Sequence, residues 1–345
     1  MRSAWQSWWR VGKPLLGLAI IGGVAWRFYD ILSRPELWEK PLPFRVGWLI
    51  AVVLFYEIGL AFPALFWHWL VASLGEKPHL VATMRAYYFG HLGKYVPGKA
   101  WGLLLRTEGM ANAGVRPAVG VITTVFETLT TMASGALLAA LLFAFLALNW
   151  NATWIALGLL AIAGLPVLPG VFNPLMKFFA NISERAARKL GRETGMADLP
   201  HVQLATLAGG LGITALGWLV MGLSLWAALQ ALLPEPLAWD VALWGRCTAY
   251  VALAWVAGFL AVVTPGGLGI REFVFERLLT PDIRQAAPGS DAEGLAVIVA
   301  LVLRLLWTAG DIIMVGVVYW LPATGSNLPA APPAAPPSTD PGPAP

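Results

Sequence analysis

Residues 90–106, GHLGKYVPGKAWGLLLR, decide how the rest of the chain is read. They lie among long apolar runs, yet they set His91, Lys94, Lys99 and Arg106 around a helix-breaking Pro97-Gly98 pair. Broken backbone at membrane depth is tolerated only where protein or a water-filled cavity satisfies its polar groups. The stretch therefore predicts a re-entrant or broken helix lining an internal cavity.

Composition makes the surroundings a membrane. Of 345 residues, 58% are hydrophobic and 12% charged, with mean hydropathy +0.69, against about 25% charge in soluble domains. A soluble fold is excluded, and nucleic acid is not an expected partner. Trp8, Trp9, Trp38, Trp48, Trp150, Trp154, Trp239 and Trp320 lie near the ends of apolar runs, where their amphipathic rings favour the membrane–water boundary. The single cysteine, Cys247, allows neither an intrachain disulfide nor a cysteine metal cluster. The amino-terminal run LLGLAIIGGVAWRFYDIL follows Arg2, Arg10 and Lys13 but lacks a small-residue cleavage site, so it reads as a retained first span.

With about 20 apolar residues needed per crossing, the chain reads as an all-α polytopic membrane protein of about seven transmembrane helices, at 14–33, 46–73, 116–148, 151–172, 202–233, 239–263 and 293–320. Pro63 encourages a kink in the second. Two segments, 79–108 and 264–280 (TPGGLGIREFVFERLLT), fit no simple crossing and both centre on Pro-Gly; they are expected to be re-entrant or broken. Residues 1–321 form the integral membrane domain, and the Pro/Ala-rich residues 322–345 are expected to be disordered.

The loop at 173–201 carries Lys177, Arg185, Arg188, Lys189 and Arg192, which places it in the cytoplasm. With the amino terminus also inside, the count closes only if 79–108 dips in and returns. Arg34, Lys40 and Arg45 sit awkwardly in a loop that this topology puts outside. Within the cytoplasmic loop, Leu175, Phe179, Ile182, Ala186 and Leu190 recur at helical spacing after Asn173-Pro174, as in an interfacial helix or an ordinary connecting one.

Charge inside the apolar runs costs about 2.5–3.5 kcal/mol per residue even on the lenient scale. The informative cases are Glu57, Glu127, Arg246, Arg304 and Asp311. Glu127 shares a helical stripe with Thr123, Thr131 and Ser134, and Arg304 shares one with Thr308 and Asp311. Two readings stay open: these groups pair to hold the bundle together, or they line a cavity for a charged headgroup, with arginine gripping phosphate. Free backbone N–H groups beside Lys94, Lys99 and Arg106, and beside Arg271, would make two anion sites; alternatively the glycines serve packing and the lysines reach the surface. The four histidines form no H-E-x-x-H pattern, and no Walker A loop or G-x-S-x-G elbow is present, so no enzyme and no cofactor is expected.

GKYVPGKAWGLLLR at 93–106, Glu127 in a Thr-rich helix, TPGGLGIREFVF at 264–275 and Arg304 in the last helix together resemble the lysylphosphatidylglycerol synthase transmembrane-region family. That family includes the flippase portion of bacterial multiple peptide resistance factors and stand-alone proteins, some associated with glycosyltransferase or hopanoid genes. The resemblance implies a multi-pass protein of the bacterial cytoplasmic (inner) membrane that binds or moves lipids, with Pro97, Gly98, Pro265, Gly266, Gly267, Gly269, Arg271 and Glu272 as site residues. The residues themselves add Lys94, Lys99, Arg106, Glu127, Arg304 and Asp311. The expected function is binding and translocation of a phospholipid or lipid-linked headgroup, anionic by the chemistry of these groups. Proton coupling through Glu127 and downhill scrambling are both open, as are a non-transporting scaffold for a lipid-modifying enzyme or glycosyltransferase and an intramembrane lipid transferase. A Pro-Gly element followed by an arginine in each half hints at a duplicated unit.

Overall fold

A computed structural model describes residues 21–38, 42–95, 100–146, 150–188, 201–261 and 264–321, in which all regular structure is helical. Residues 21–32 form α1. They are followed by α2 (Val46–Ser73), α3 (Leu80–Leu92), α4 (Ala100–Asn112), α5 (Pro117–Phe145), α6 (Trp150–Gly164), α7 (Pro169–Arg188), α8 (Leu204–Leu232), α9 (Val241–Leu260), α10 (Ile270–Ala286) and α11 (Ala292–Trp320).

Six described segments, α2, α5, Trp150–Val167, α8, α9 and α11, are long and apolar enough to cross a membrane. They coincide with six of the expected crossings. The remaining one, 14–33, is described only from residue 21 and is helical to 32; residues 322–345 lie outside the described residues. Local sequence starts the helices as physical chemistry expects. Asp240 accepts from the backbone N–H groups of Ala242 (3.1 Å) and Leu243 (3.2 Å) to cap α9, Asp291 accepts from Gly294 (3.1 Å) to cap α11, and Pro117 takes the first turn of α5.

Without a hydrophobic force between helices in lipid, packing rests on small residues that let backbones approach. The antiparallel α2 and α8 show this: a side-chain carbon on Gly217 would stand 2.8 Å from the Gly59 carbonyl oxygen. Further along the same pair, the Ser224 hydroxyl donates to the Val52 carbonyl (2.7 Å).

Residues 79–108 fold as the expected hairpin. α3 and α4 lie side by side and Gly109 faces Ala86, where an added carbon would sit 2.8 Å from the alanine methyl. A 3-10 turn, Gly93–Tyr95, forms the described part of the tip. The second Pro-Gly segment corrects the expectation. The segment after the expected crossing at 239–263 turns at Pro265–Gly267 and returns as α10 along α9, so the two helices form a hairpin. Tyr250 OH donates to Asp282 Oδ2 (2.9 Å), Arg246 lies 3.5 Å from the same carboxylate, and Gly258 packs on the Arg271 side chain. An apolar-length ruler reads a buried hairpin arm and a lipid-facing helix alike, and 67% of the apolar window of α9 is buried, the largest share among the six.

α2, the α3/α4 hairpin and α5 thus repeat as α8, the α9/α10 hairpin and α11. Because α2 and α8 run antiparallel, the hairpins enter from opposite ends of the bundle and their tips meet inside it. Irregular backbone inside the bundle is tolerated where it faces protein or a cavity.

The charges that looked misplaced at 34–45 are tied down by the fold. Arg45 donates to the carbonyls of Gln230 (2.6 Å), Leu233 (2.9 Å) and Pro234 (2.8 Å), satisfying orphan acceptors where α8 ends. Arg34 pairs with Glu293 (3.2 Å) and Asp291 (3.6 Å); Lys40 lies outside the described residues. The helix expected after Asn173-Pro174 starts earlier, at Pro169, because Asn173 is spent on a tertiary bridge: its amide exchanges hydrogen bonds with the backbone of Val202 (2.9 and 3.0 Å). Leu175, Phe178 and Phe179 are exposed along it.

Candidate functional site

The two tips touch at Lys94 and Gly266. Gly266 takes φ +57°, and a side-chain carbon there would stand 3.2 Å from the Lys94 carbonyl oxygen. Gly267 (φ +71°) is held still closer, its missing carbon 2.8 Å from Gly258 Cα, and Gly269 also has positive φ. Only glycine combines this backbone with so close an approach. The resemblance's glycines are thus the means by which the tip turns.

Lys94 anchors one side of the centre. Its ammonium lies 2.7 Å from Asp311 Oδ2 and donates to Tyr56 OH (3.1 Å) and His91 Nε2 (2.8 Å). An ammonium only donates, so this His91 nitrogen accepts. Asp311 also accepts from Tyr56 OH (2.9 Å) and Tyr95 OH (2.7 Å). The rings of Tyr95, Trp255 and Tyr56 stand 5.0, 5.4 and 5.8 Å from Nζ, an aromatic cage around the cation.

Arg304 and Glu272 form the other side, ion-paired and hydrogen-bonded. The second oxygen of Glu272 accepts the Gly269 N–H (2.7 Å), so the protein's own carboxylate takes a donor that the sequence assigned to a free anion site. Between the two pairs lies Arg271. Its guanidinium stacks 4.1 Å from the Trp255 ring, its Nε is buried without an acceptor, and no carboxylate pairs with it among the described residues. Lys94, Tyr95, Trp255, Gly266, Arg271, Glu272, Arg304, Trp307 and Thr308 are among the residues that face a common cavity. Its free volume, about 20 Å³, is room for about one water. Among the described residues, Lys94, Arg271 and Arg304 line it with Glu272, and Lys94 is paired to Asp311 behind it, leaving one positive charge over.

Arg106 and Glu127 stand apart from this cavity. They pair at 2.5 Å, Glu127 also accepts from Thr131 (3.0 Å), and Arg106 lies 3.9 Å over the Tyr87 ring. Tyr87 stacks on His91 at 6.2 Å, so the pair reaches the centre only through two rings. Glu127 and Arg304 thus pair with neighbours on other helices and not with each other. Pro97, Gly98 and Lys99 lie outside the described residues.

Sequence reading passed over Tyr56, Tyr95, Trp255 and Trp307. Tyr56 stacks on Trp307 at 4.9 Å, and Trp255 lies 6.0 Å from Trp307 and 5.9 Å from His91. Aromatic rings in apolar helices look like packing; only the position of Tyr95 beside Lys94, before the break, was a signal. Among the described residues no group of three histidine, cysteine, aspartate or glutamate side chains could hold a metal ion.

The family model described as lysylphosphatidylglycerol synthase TM region matches residues 15–308, which contain every element of this site except Asp311. No curated protein matches the chain.

Proposed function

Since the chain belongs to the lysylphosphatidylglycerol synthase TM-region family, we propose that it binds an anionic lipid headgroup where its two hairpin tips meet and moves that lipid between leaflets. The carrying observation is Arg271: a buried guanidinium with no carboxylate partner among the described residues, aimed along a wall that also holds Arg304 and Lys94. A guanidinium offers a planar fork to phosphate, and a phosphodiester supplies the single negative charge that balances the centre. Trp255, Phe275 and Trp307 supply the low-dielectric walls that make such a charge pair strong.

A cavity of about 20 Å³ holds no headgroup, so admission requires the tips to part. Parting would separate Gly266 from the Gly93–Tyr95 turn and loosen the Lys94–Asp311 and Arg304–Glu272 pairs that tie the two tips to α11. Parting toward one end and then the other is alternating access around a fixed site. In this reading the bundle sits in the bacterial cytoplasmic membrane with the α7 end, rich in Lys and Arg, in the cytoplasm. The family description names a synthase, but the described residues hold a membrane bundle and no soluble domain, and aminoacyl transfer is not part of the proposal.

The test is movement of headgroup-labelled anionic phospholipid in proteoliposomes, with Arg271→Gln and Arg304→Gln variants checked for folding. Movement that both folded variants lose is expected. Wild type that moves neither anionic nor zwitterionic lipid would return the family role to the scaffold reading.

A further inference from the structure

One buried acid takes no part in either ion pair of the centre. Glu57 lies mid-way along α2, and both of its carboxyl oxygens are buried with no hydrogen-bond partner. It faces α11 at Gly310, where an added side-chain carbon would stand 2.7 Å from Oε1, and Val53 closes the same wall. Around it are Tyr56 on its own helix, Tyr88 on α3, Lys94 at the hairpin tip and Asp311 on α11. None of them donates to the carboxyl. Tyr88 OH reaches only the Glu57 main-chain carbonyl (3.4 Å), and the Lys94 ammonium is committed to Asp311, Tyr56 and His91. A carboxylate so placed has no donor among the described residues, and an unpaired charge in an apolar seam is costly, which favours the neutral, protonated form.

We propose that Glu57 is a proton-binding site coupled to the anion at the centre, an inference that rests on the headgroup reading above. Asp311 is the link. It neighbours Gly310, which lies against Glu57, and it holds Lys94, whose backbone meets Gly266 at the tip contact. When the tips part, headgroup and water reach the centre together: as an anion enters, the Glu57 carboxylate takes a proton from water, and as the anion leaves, the Glu57 O–H bond breaks and the proton passes to water. With Glu57 neutral the centre needs one anion for balance, and with Glu57 ionised it balances without one, so in a low-dielectric interior proton and anion travel together. Glu127, the acid that sequence reading offered for this role, is neutralised by Arg106 and has no such freedom.

The first measurement is infrared spectroscopy of the full chain in lipid at neutral pH, in ordinary and heavy water, on wild type and Glu57→Gln. The expected result is a C=O stretch of a protonated carboxylic acid, shifted in heavy water, that Glu57→Gln removes and Glu127→Gln leaves. Absence of the band in wild type, or its survival in Glu57→Gln, overturns the proposal. Should Glu57→Gln fail to fold, Gly310→Ala, which crowds the carboxyl, must shift the band; an unmoved band is equally fatal. The second measurement sets a pH difference across proteoliposomes at zero membrane potential. One proton per lipid biases the leaflet distribution of an anionic phospholipid by about tenfold per pH unit, and Glu57→Gln abolishes that bias. Lipid movement in wild type that ignores the gradient overturns the coupling. Wild type that moves no lipid is instead the failure of the headgroup reading, and the band alone then decides whether Glu57 holds a proton.

Discussion

The ammonium of Lys94 and the carboxylate of Asp311, 2.7 Å apart, fasten the tip of the first hairpin to the last helix. The Asp311 side chain is 1% exposed, so removing Lys94 leaves a buried charge supported by the hydroxyls of Tyr56 and Tyr95, with His91 Nε2 3.7 Å away. Lys94→Met is expected to cost about 3–5 kcal/mol, the scale for breaking one side of a buried pair, and Lys94→Met with Asp311→Leu to recover most of that. Thermal unfolding in detergent reads both. A single variant as stable as wild type would mean that the pair does not hold the tip.

Arg271 behaves oppositely. It has no carboxylate to orphan among the described residues, so Arg271→Gln forfeits its contact with the Trp255 ring, worth about 2 kcal/mol or more when desolvated. Folding is expected to survive with a small fall in melting temperature while anionic lipid movement is lost. This divergence separates a binding residue from a packing one: a scaffold whose charges serve only cohesion loses stability and function in proportion.

What the sequence could disclose follows from which signals are local. Run length and charge placed the six described spans and the break at Pro265-Gly266, because the cost of polar groups in lipid is a property of each segment alone. The pairing of α9 with α10 was hidden, since it depends on Tyr250 and Arg246 meeting Asp282, residues 32 or more positions apart. The site was half legible. Lys94, Arg271, Glu272, Arg304 and Asp311 are charges in apolar runs and announce themselves. Tyr56 and Trp255 lie on helices with no polar stripe to mark the face that turns inward, and Trp307, beside the Arg304–Thr308–Asp311 stripe, reads as packing. Glu127 and Glu57 looked alike as isolated acids, and only the fold supplies one with an arginine and leaves the other bare.

The Arg106–Glu127 pair is expected to act on stability. It is closed at 2.5 Å and Arg106 is sandwiched near Tyr87 and Trp67. Glu127→Gln leaves a buried guanidinium facing a neutral amide and is expected to cost about 3 kcal/mol or more. The pH-gradient response of whatever folded protein remains should be intact. Denaturation midpoints and gradient-driven lipid distribution, measured on the same preparation, check this; loss of the gradient response at unchanged stability would transfer the proton role to Glu127.

The seam between α2 and α8 sets the frame against which the hairpins move, and its closeness depends on Gly217. A side chain there meets the Gly59 carbonyl oxygen at 2.8 Å and the Phe62 and Pro63 side chains at 3.2 and 3.4 Å. Backbone cannot yield as the end of a flexible side chain does, so Gly217→Leu forces the two helices apart. An overpacking cost of about 1–3 kcal/mol or more is expected. Gly212, one turn away on the same helix, has nothing within 4 Å of the carbon it lacks. Gly212→Ala should therefore be neutral, or stabilising by up to about 1 kcal/mol through helix propensity. Comparing the two in one thermal series isolates packing from propensity, and equal effects would mean that α2 and α8 do not approach through their glycines.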